Sequence, residues 1–328
     1  MRFGPLPIEQ ALGCILAHSV SIEGGRLRKG LQLEAEHIDH LRRAGLTEIT
    51  VAALEAGDVE ENDAARLLGD ALLANTAGLR VTKAATGRVN LIATRAGVAM
   101  LDLDRLTALN EVNPMISFAS VPAYHQLHTG GMLGTVKIIS YAVPERDLER
   151  ACAHAQGALT LAGPLGQTVS LIITQIEHGA DETKAIAATK ARLDALGSPL
   201  IEVLTCAHEK GALINAVHAA KGEVILILTG SATSDPNDVA PAALIGAGGT
   251  LIRFGMPVDP GNLLFLARLH EKPVIGLPGC ARSPALNGAD KVLSRVLCGV
   301  PVTSEDIAGM GVGGLLKEIP TRPRPRQA

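Results

Sequence analysis

Aromatic residues are nearly missing from this 328-residue chain, which has no tryptophan, two tyrosines and four phenylalanines. Single-stranded nucleic acid is held on aromatic platforms inside positive grooves. The charge offers no groove of that kind, since 30 basic residues face 33 acidic ones for a formal charge of −3. Without a net positive field to collect phosphate backbones, a nucleic-acid partner is not expected. Cysteines are few: Cys14, Cys152, Cys206, Cys280 and Cys298 are odd in number, far apart and without a C-x-x-C pair. That usage predicts reduced thiols in a cytoplasmic protein. Long apolar runs are lacking too. The opening MRFGPLPIEQ has no signal-peptide core, and nothing approaches the roughly 20 apolar residues of a membrane helix, so a soluble chain with no membrane partner is expected.

What is present is aliphatic. Hydrophobic residues make up 47% of the chain, so the core must be built from Leu, Ile, Val and Ala, each Å² buried contributing roughly 25 cal/mol. The length predicts more than one domain. Residues 1–164 read as a mixed α+β N-terminal region in two parts. Within 1–77, GRLRKGLQLEAEHIDHLRRAGLTEITVAAL predicts a turn, a helix with Ile38 and Leu41 on one face, a stop at Gly45 and a strand ending at Val51. VEENDAARLLGDALLANTAG then predicts a helix with Ala65, Leu68 and Leu72 at helical spacing, closing at Gly78. Over 78–148, the pieces VNLIAT, VAMLDL, MISFASV and LGTVKIISYAV, separated by Gly, Asn and Pro turns, predict a mainly β part. ERDLERACAHAQGALTLAGPLG predicts a helix and then a Gly/Pro linker.

Residues 165–310 are more regular. VSLIIT, a helix from Asp181 to about Leu196, LIEVL, a helix near Glu209 to Ala220, and VILILT form successive α/β units. A helix starting near Asp235, the strand TLIRF, the hairpin-like pair LLFLARL and PVIGL, and a helix from Pro284 to Leu297 follow. Near-continuous apolar strands are those covered on both faces, so the expected fold class is α/β, a mostly parallel sheet with helices on both faces. The tail 311–328, ending IPTRPRPRQA, has nothing to bury and is expected to be flexible.

Ligands of such sheets gather at the carboxyl ends of the strands, where helix N-termini present backbone N–H groups. Three loops stand there: TQIEHGADET, TGSATSDPND and LPGCARSP. In the second, Asp235 is placed as an N-cap, Pro236 as the first helical residue and Asp238 as the acid three positions after the cap. A cap does not need the hydroxyls of Thr229, Ser231, Thr233 and Ser234 crowded beside Gly230. In the third, Gly279 admits close backbone approach, Ser283 is placed as a cap and Arg282 is the only cation. A phosphate monoester would fit between two such helix N-termini. No Gly-Lys-Ser/Thr P-loop is present, which disfavours triphosphatase chemistry.

Other motifs have plainer readings. Cys280 reads as a small residue in a tight turn, with a binding rather than a nucleophilic role. His125 and His128, like His37 and His40, lack a third ligand nearby. Arg88 and Asn90 in TGRVN read as a strand-entry turn, with an anion contact as the alternative. Gly309, Gly311 and Gly314 have dinucleotide-loop spacing but no preceding strand.

From Val169 to about Leu297 the chain resembles the molybdopterin-binding domain shared by molybdopterin adenylyltransferases and molybdopterin molybdotransferases. Thr174 and Glu177 stand in the T-G-D-E position, and Thr229, Gly230, Thr233 and Asp238 stand where the family has T-G-G-V-S-x-G-x-x-D. Pro260 with Gly261, and Pro278 with Gly279 in the G-L-P-G-N-P position, complete the order. GRLRKGLQLEAEHIDHLRRAGLTEITV also resembles a molybdotransferase segment. The chain is most similar to the molybdopterin-binding module that some bacterial proteins carry ahead of a nucleotidyltransferase-like domain.

The resemblance implies binding of the pterin's dithiolene and terminal phosphate, or of its adenylylated form, with Mg²⁺ and molybdate as further reactants. Thr174, Thr229, Gly230, Ser231, Thr233 and Ser234 would line the ligand, with Pro260, Gly261, Asn262, Pro278, Gly279, Cys280, Arg282 and Ser283 across from them. Glu177, Asp235 and Asp238 would be the acids near Mg²⁺ or molybdate, Glu177 and Asp238 being the catalytic candidates. Where the molybdotransferases have K-P-G-K-P this chain reads DPGNL, so Asp259 and Asn262 replace two cations. Binding is therefore expected ahead of turnover, with presentation to a separate nucleotidyltransferase or a molybdoenzyme. An active molybdotransferase and a nucleotide-processing enzyme on the same fold are the alternatives. A homo-oligomer is expected by analogy.

Overall fold

The computed structural model describes residues 1–177 and 182–316. The chain forms two units, one of 1–95, 99–123 and 129–161, the other running from Ala162 onward and taking in 96–98 and 124–128.

In the first unit, strands Arg2–Pro7, Glu48–Ala53 and Ile15–Leu16 form an antiparallel sheet with Glu48–Ala53 in the middle. Helix Ala35–Arg43 buries Ile38 and Leu41 against Ile8, Leu16, Leu33 and Val51. Gly45, at φ +74°, takes the left-handed conformation that ends the helix. The strand runs two residues past its expected end, to Ala53. Helix Glu61–Leu72 buries Ala65, Leu68 and Leu72 but closes at Leu72, well before Gly78. Two successive turns, Ala74 N–H to the Ala71 carbonyl and Thr76 N–H to the Leu73 carbonyl, take over there, with Asn75 at φ +63° supplying the left-handed residue.

Strands Ile116–Ser120, Met132–Ile138, Arg88–Ala93 and Leu79–Val81 form an antiparallel sheet in that order. The region also holds a helix that the strand reading omits, Leu103–Val112. Asp102 caps it by accepting the Arg105 N–H at 3.0 Å, and it buries Leu106 and Leu109. The expected linker likewise contains a strand, Leu159–Ala162. Its alternate residues Leu159 and Leu161 are buried, and strand alternation gives them that shelter.

The second unit carries the six-stranded sheet. Its elements are β1 (Val169–Gln175), α1 (Thr183–Asp194), β2 (Leu200–Ala207), α2 (Lys210–Ala219), β3 (Val224–Leu228), α3 (Val239–Gly246), β4 (Thr250–Phe254), β5 (Phe265–Leu269), β6 (Lys272–Leu277), α4 (Gly288–Leu297) and α5 (Ser304–Gly309). The strand order is β2-β1-β3-β6-β5-β4. β2, β1, β3 and β6 are mutually parallel, while β5 runs against both β6 and β4. The fold is therefore α/β with a mostly parallel sheet, and the expected hairpin is β5–β6.

Ile172, Ile225 and Ile227 pack with Leu213 and Val217 of α2 and Ala240, Ala243 and Leu244 of α3. Their strand neighbours Leu171, Ile173, Leu226 and Leu228 point to the opposite face and are just as buried. Full burial of each such side chain contributes about 1.5–3 kcal/mol. α4 starts at Gly288 and not at Pro284. Asn287 caps it in a reciprocal box with Asp290, while Ser283 instead closes a short 3₁₀ turn over Gly279–Arg282. Among the described residues no helix is long and apolar enough to cross a membrane.

Candidate functional site

Because β1, β3 and β6 are parallel, the loops that follow them leave the same edge of the sheet. Thr174, near the end of β1, is fully buried. Its hydroxyl accepts the Gly230 N–H at 2.9 Å and lies 2.8 Å from Nδ1 of His208, the first residue after β2. One hydroxyl thus joins the ends of three strands. Gly230 is required by this approach: a Cβ there would stand 2.7 Å from the Thr174 carbonyl oxygen.

The loop after β3 is held from two further directions. The hydroxyls of Thr229 and Thr233 are 3.2 Å apart, and both residues are buried. Arg282, from the loop after β6, donates from Nη2 to the Thr229 carbonyl at 2.8 Å. Ser231, Ser234 and Asp235 stay exposed. The expected cap at Asp235 is displaced: α3 begins at Val239, and Asp238 caps it, accepting the Val239 N–H at 2.7 Å and the Ser234 N–H at 3.1 Å. Asp235 opens a β-turn, its carbonyl accepting the Asp238 N–H at 3.0 Å while its Oδ1 accepts from Asn237. Pro236 occupies the second position of that turn, where its fixed φ serves as well as in a first helical residue.

Both Asp238 oxygens are therefore used locally. Glu177 is exposed, and His178 to Asp181 of the same loop lie outside the described residues. Among the described residues no three His, Cys, Asp or Glu side chains gather as a metal group. Among the described donors, then, Asp238 is committed to the helix cap and Glu177 and Asp235 are exposed, a set that does not by itself make a Mg²⁺ site.

Around β6, Pro278 is buried, while Gly279 is exposed with open space where a Cβ would stand. Burial pushes the Cys280 thiol up, against a reactive thiolate. Pro260 and Gly261, which follow a cis Asp259–Pro260 bond, seat against α4: the Gly288 N–H reaches the Pro260 carbonyl at 2.8 Å. Asn262 is exposed nearby in sequence.

Two residues in this arrangement escaped the motif reading. His208 was accessible through the rule that strand ends collect function. Arg192 of α1 was not, because an arginine on a helix reads as solvated. It donates to Asp290 Oδ1 at 2.6 Å and to the carbonyls of Ala188, Ala281, Ser283 and Ala285, so it clamps the 281–285 segment onto α1 and α4. Beside that clamp is a hollow of about 630 Å³ walled by Ala185, Ala188 and Ala191 of α1, with Lys184 and Arg282 among its lining. His125 and His128 are exposed.

A family model described as a domain of unknown function (DUF8806) matches residues 5–53. No curated protein matches the chain. Among solved structures, the molybdopterin biosynthesis MoeA protein from Pyrococcus horikosii is similar at 13% identity over 94% of this chain and 76% of that one, with a TM-score of 0.30. A molybdopterin biosynthesis protein from Mycobacterium abscessus is similar at 15% identity over 42% of this chain and 94% of that one, with a TM-score of 0.29. MogA is similar at 18% identity over 39% and 92% respectively, with a TM-score of 0.27. At these values the likeness carries no functional argument, and the site is read from its own residues.

Proposed function

We propose that the second unit binds molybdopterin or the molybdenum cofactor during its synthesis or maturation, and presents it to a separate nucleotidyltransferase or a molybdoenzyme. The observation that carries this reading is the pair of hydrogen bonds from Gly230 to Thr174 and from Arg282 to Thr229. They draw together the loops in which the family motifs stand. The anionic terminal phosphate would meet hydroxyls, backbone N–H groups and the Arg282 guanidinium, and the alanine-walled hollow offers an apolar surface to a flat ring. We further propose a cytoplasmic protein acting as a homo-oligomer.

Binding is favoured over molybdate insertion because Asp238 is spent as a cap and Asp259 and Asn262 stand where cations are expected. The test is oxidised-pterin fluorescence released per chain from protein purified anaerobically from a pterin-making host, for wild type and Thr229→Trp. Near-stoichiometric pterin that the tryptophan removes is the expected result. A folded wild type without pterin would overturn the reading and favour the nucleotide-processing alternative.

A further inference from the structure

Two arginines of the second unit are withdrawn from solvent and well supplied with acceptors. Arg192 is the clamp described above. Arg253 gives Nε to the Gly255 carbonyl at 3.1 Å and Nη1 to the Ser304 carbonyl and hydroxyl at 3.3 and 3.2 Å. Arg295 of α4 is the opposite case. It is only 7% exposed, and its side-chain Nε is buried without a partner among the described residues.

The ring of Tyr124 is laid against it, 3.5 Å from the guanidinium carbon to the ring centroid. Tyr124 holds φ +61°, a conformation uncommon outside glycine. The ring covers a face of the guanidinium, but the N–H donors lie in the guanidinium plane and are not satisfied by it. An arginine cannot shed its proton to escape burial.

Lys291 stands one helical turn earlier on the same side of α4. It is half-buried, and burial, then the Arg295 charge, push its ammonium below the usual lysine range. No salt bridge among the described residues pairs it with an acid. Asp306 acts on Arg295 through space, but its carboxylate is occupied as the box partner at the start of α5, accepting the Thr303 N–H at 2.8 Å. Two cations on one helix side, one of them with a buried and unanswered Nε donor, need an anion to complete them.

We propose that Arg295 and Lys291 form a binding site for a tetrahedral oxyanion of the phosphate class, with Tyr124 as the platform that holds the guanidinium. A guanidinium fork and an ammonium suit two oxygens of such a group. The site spans about 5 to 10 Å along α4 from its N-terminus, and it does not depend on the loops of the proposed pterin site.

The test uses the full chain titrated with inorganic phosphate at constant ionic strength, followed by calorimetry and by tyrosine fluorescence. The chain has no tryptophan and only Tyr141 besides Tyr124, so an emission change that Tyr124→Phe removes belongs to this ring. Wild type should bind saturably with a change in emission. Lys291→Gln should weaken binding at least tenfold, and Arg295→Gln should weaken it further. Tyr124→Phe should lose the emission change while still releasing heat on binding. In calorimetry, Thr229→Trp should keep the saturable phosphate binding that Lys291→Gln weakens, and any further phosphate binding that the tryptophan removes belongs to the loop site, which separates the two sites whatever the pterin result. Glycerol phosphate binding as tightly as phosphate would assign the site to a monoester, and phosphate alone would assign it to the free ion. Absence of saturable phosphate binding, or binding that Lys291→Gln leaves within twofold of wild type, would overturn the proposal even if Arg295→Gln fails to fold.

Discussion

The Thr174 hydroxyl accepts the Gly230 N–H at 2.9 Å and touches His208 Nδ1 at 2.8 Å, so the ends of three neighbouring strands share one side chain. Thr174→Val keeps the shape and removes the hydroxyl, leaving the half-buried Gly230 N–H unanswered. Chemical denaturation should show a loss of about 1–3 kcal/mol.

Gly230→Ala acts on the same contact from the other side. The new methyl would sit 2.7 Å from the Thr174 carbonyl oxygen and 3.2 Å from the Ile176 nitrogen, backbone atoms that cannot rotate away. We expect roughly 1–3 kcal/mol of destabilisation from overpacking, together with loss of pterin from the purified protein. Alanine at Gly279, where a Cβ meets open space, should leave stability unchanged and lower only ligand content.

Asp238 and Asp235 are separable by their roles. Asp238→Ala removes the cap of α3 and should cost about 1 kcal/mol, whereas Asp238→Asn should keep most of it. Asp235→Ala touches only the preceding turn and should cost less than Asp238→Ala in the same urea titration. Equal losses at the two positions would put the helix start back at Asp235.

The strands of the second unit were legible because burial on both faces writes itself as continuous Val, Ile and Leu, and the β5–β6 hairpin was legible from two such runs with a short polar break. Helix starts were not. At both Asp235-Pro236 and Ser283-Pro284 a cap-like residue before proline suggested a helix, and the helix begins three residues after Pro236 and four after Pro284. A cap-like residue before proline opens a β-turn or follows a 3₁₀ turn equally well, and a second capping residue, Asp238 or Asn287, lies further on. The Leu103–Val112 helix was hidden by its strand-like prelude VAMLDL. Of the site, the three loops could be located from their strands. The clamp by Arg192 could not, since it depends on segments nearly a hundred residues apart.

Arg192 itself makes a sharp prediction. Its side chain is 11% exposed and its partner Asp290 is 15% exposed, so Arg192→Ala leaves Asp290 and three loop carbonyls without their donor. A cost of roughly 3 kcal/mol is expected. Lysine should rescue little of it, because an ammonium cannot span the carboxylate and the carbonyls that the planar fork reaches. Unfolding midpoints of the three proteins decide the matter.

The opposite ends of the strands carry a pH-dependent link. Glu202 accepts the Ser170 hydroxyl at 2.5 Å and the Lys221 N–H at 2.6 Å, while Ser170 accepts the Gly222 N–H at 2.7 Å. The Ser170 bond first, and the Lys221 N–H second, hold the Glu202 carboxyl below the usual glutamate range. The unfolded chain therefore takes up this proton at a higher pH than the folded one does. The stabilisation is complete above the ordinary glutamate pKa of about 4.3 and is lost as pH falls through the depressed folded value. Glu202→Gln removes the titration, so the stability gap between wild type and variant should be constant near neutrality and shrink as the solution is acidified below about pH 4. Because Glu202 is only half-buried, the gap should also narrow with added salt. A gap that stays constant through the acid range would show that the Ser170–Glu202 link does not couple strand packing to protonation.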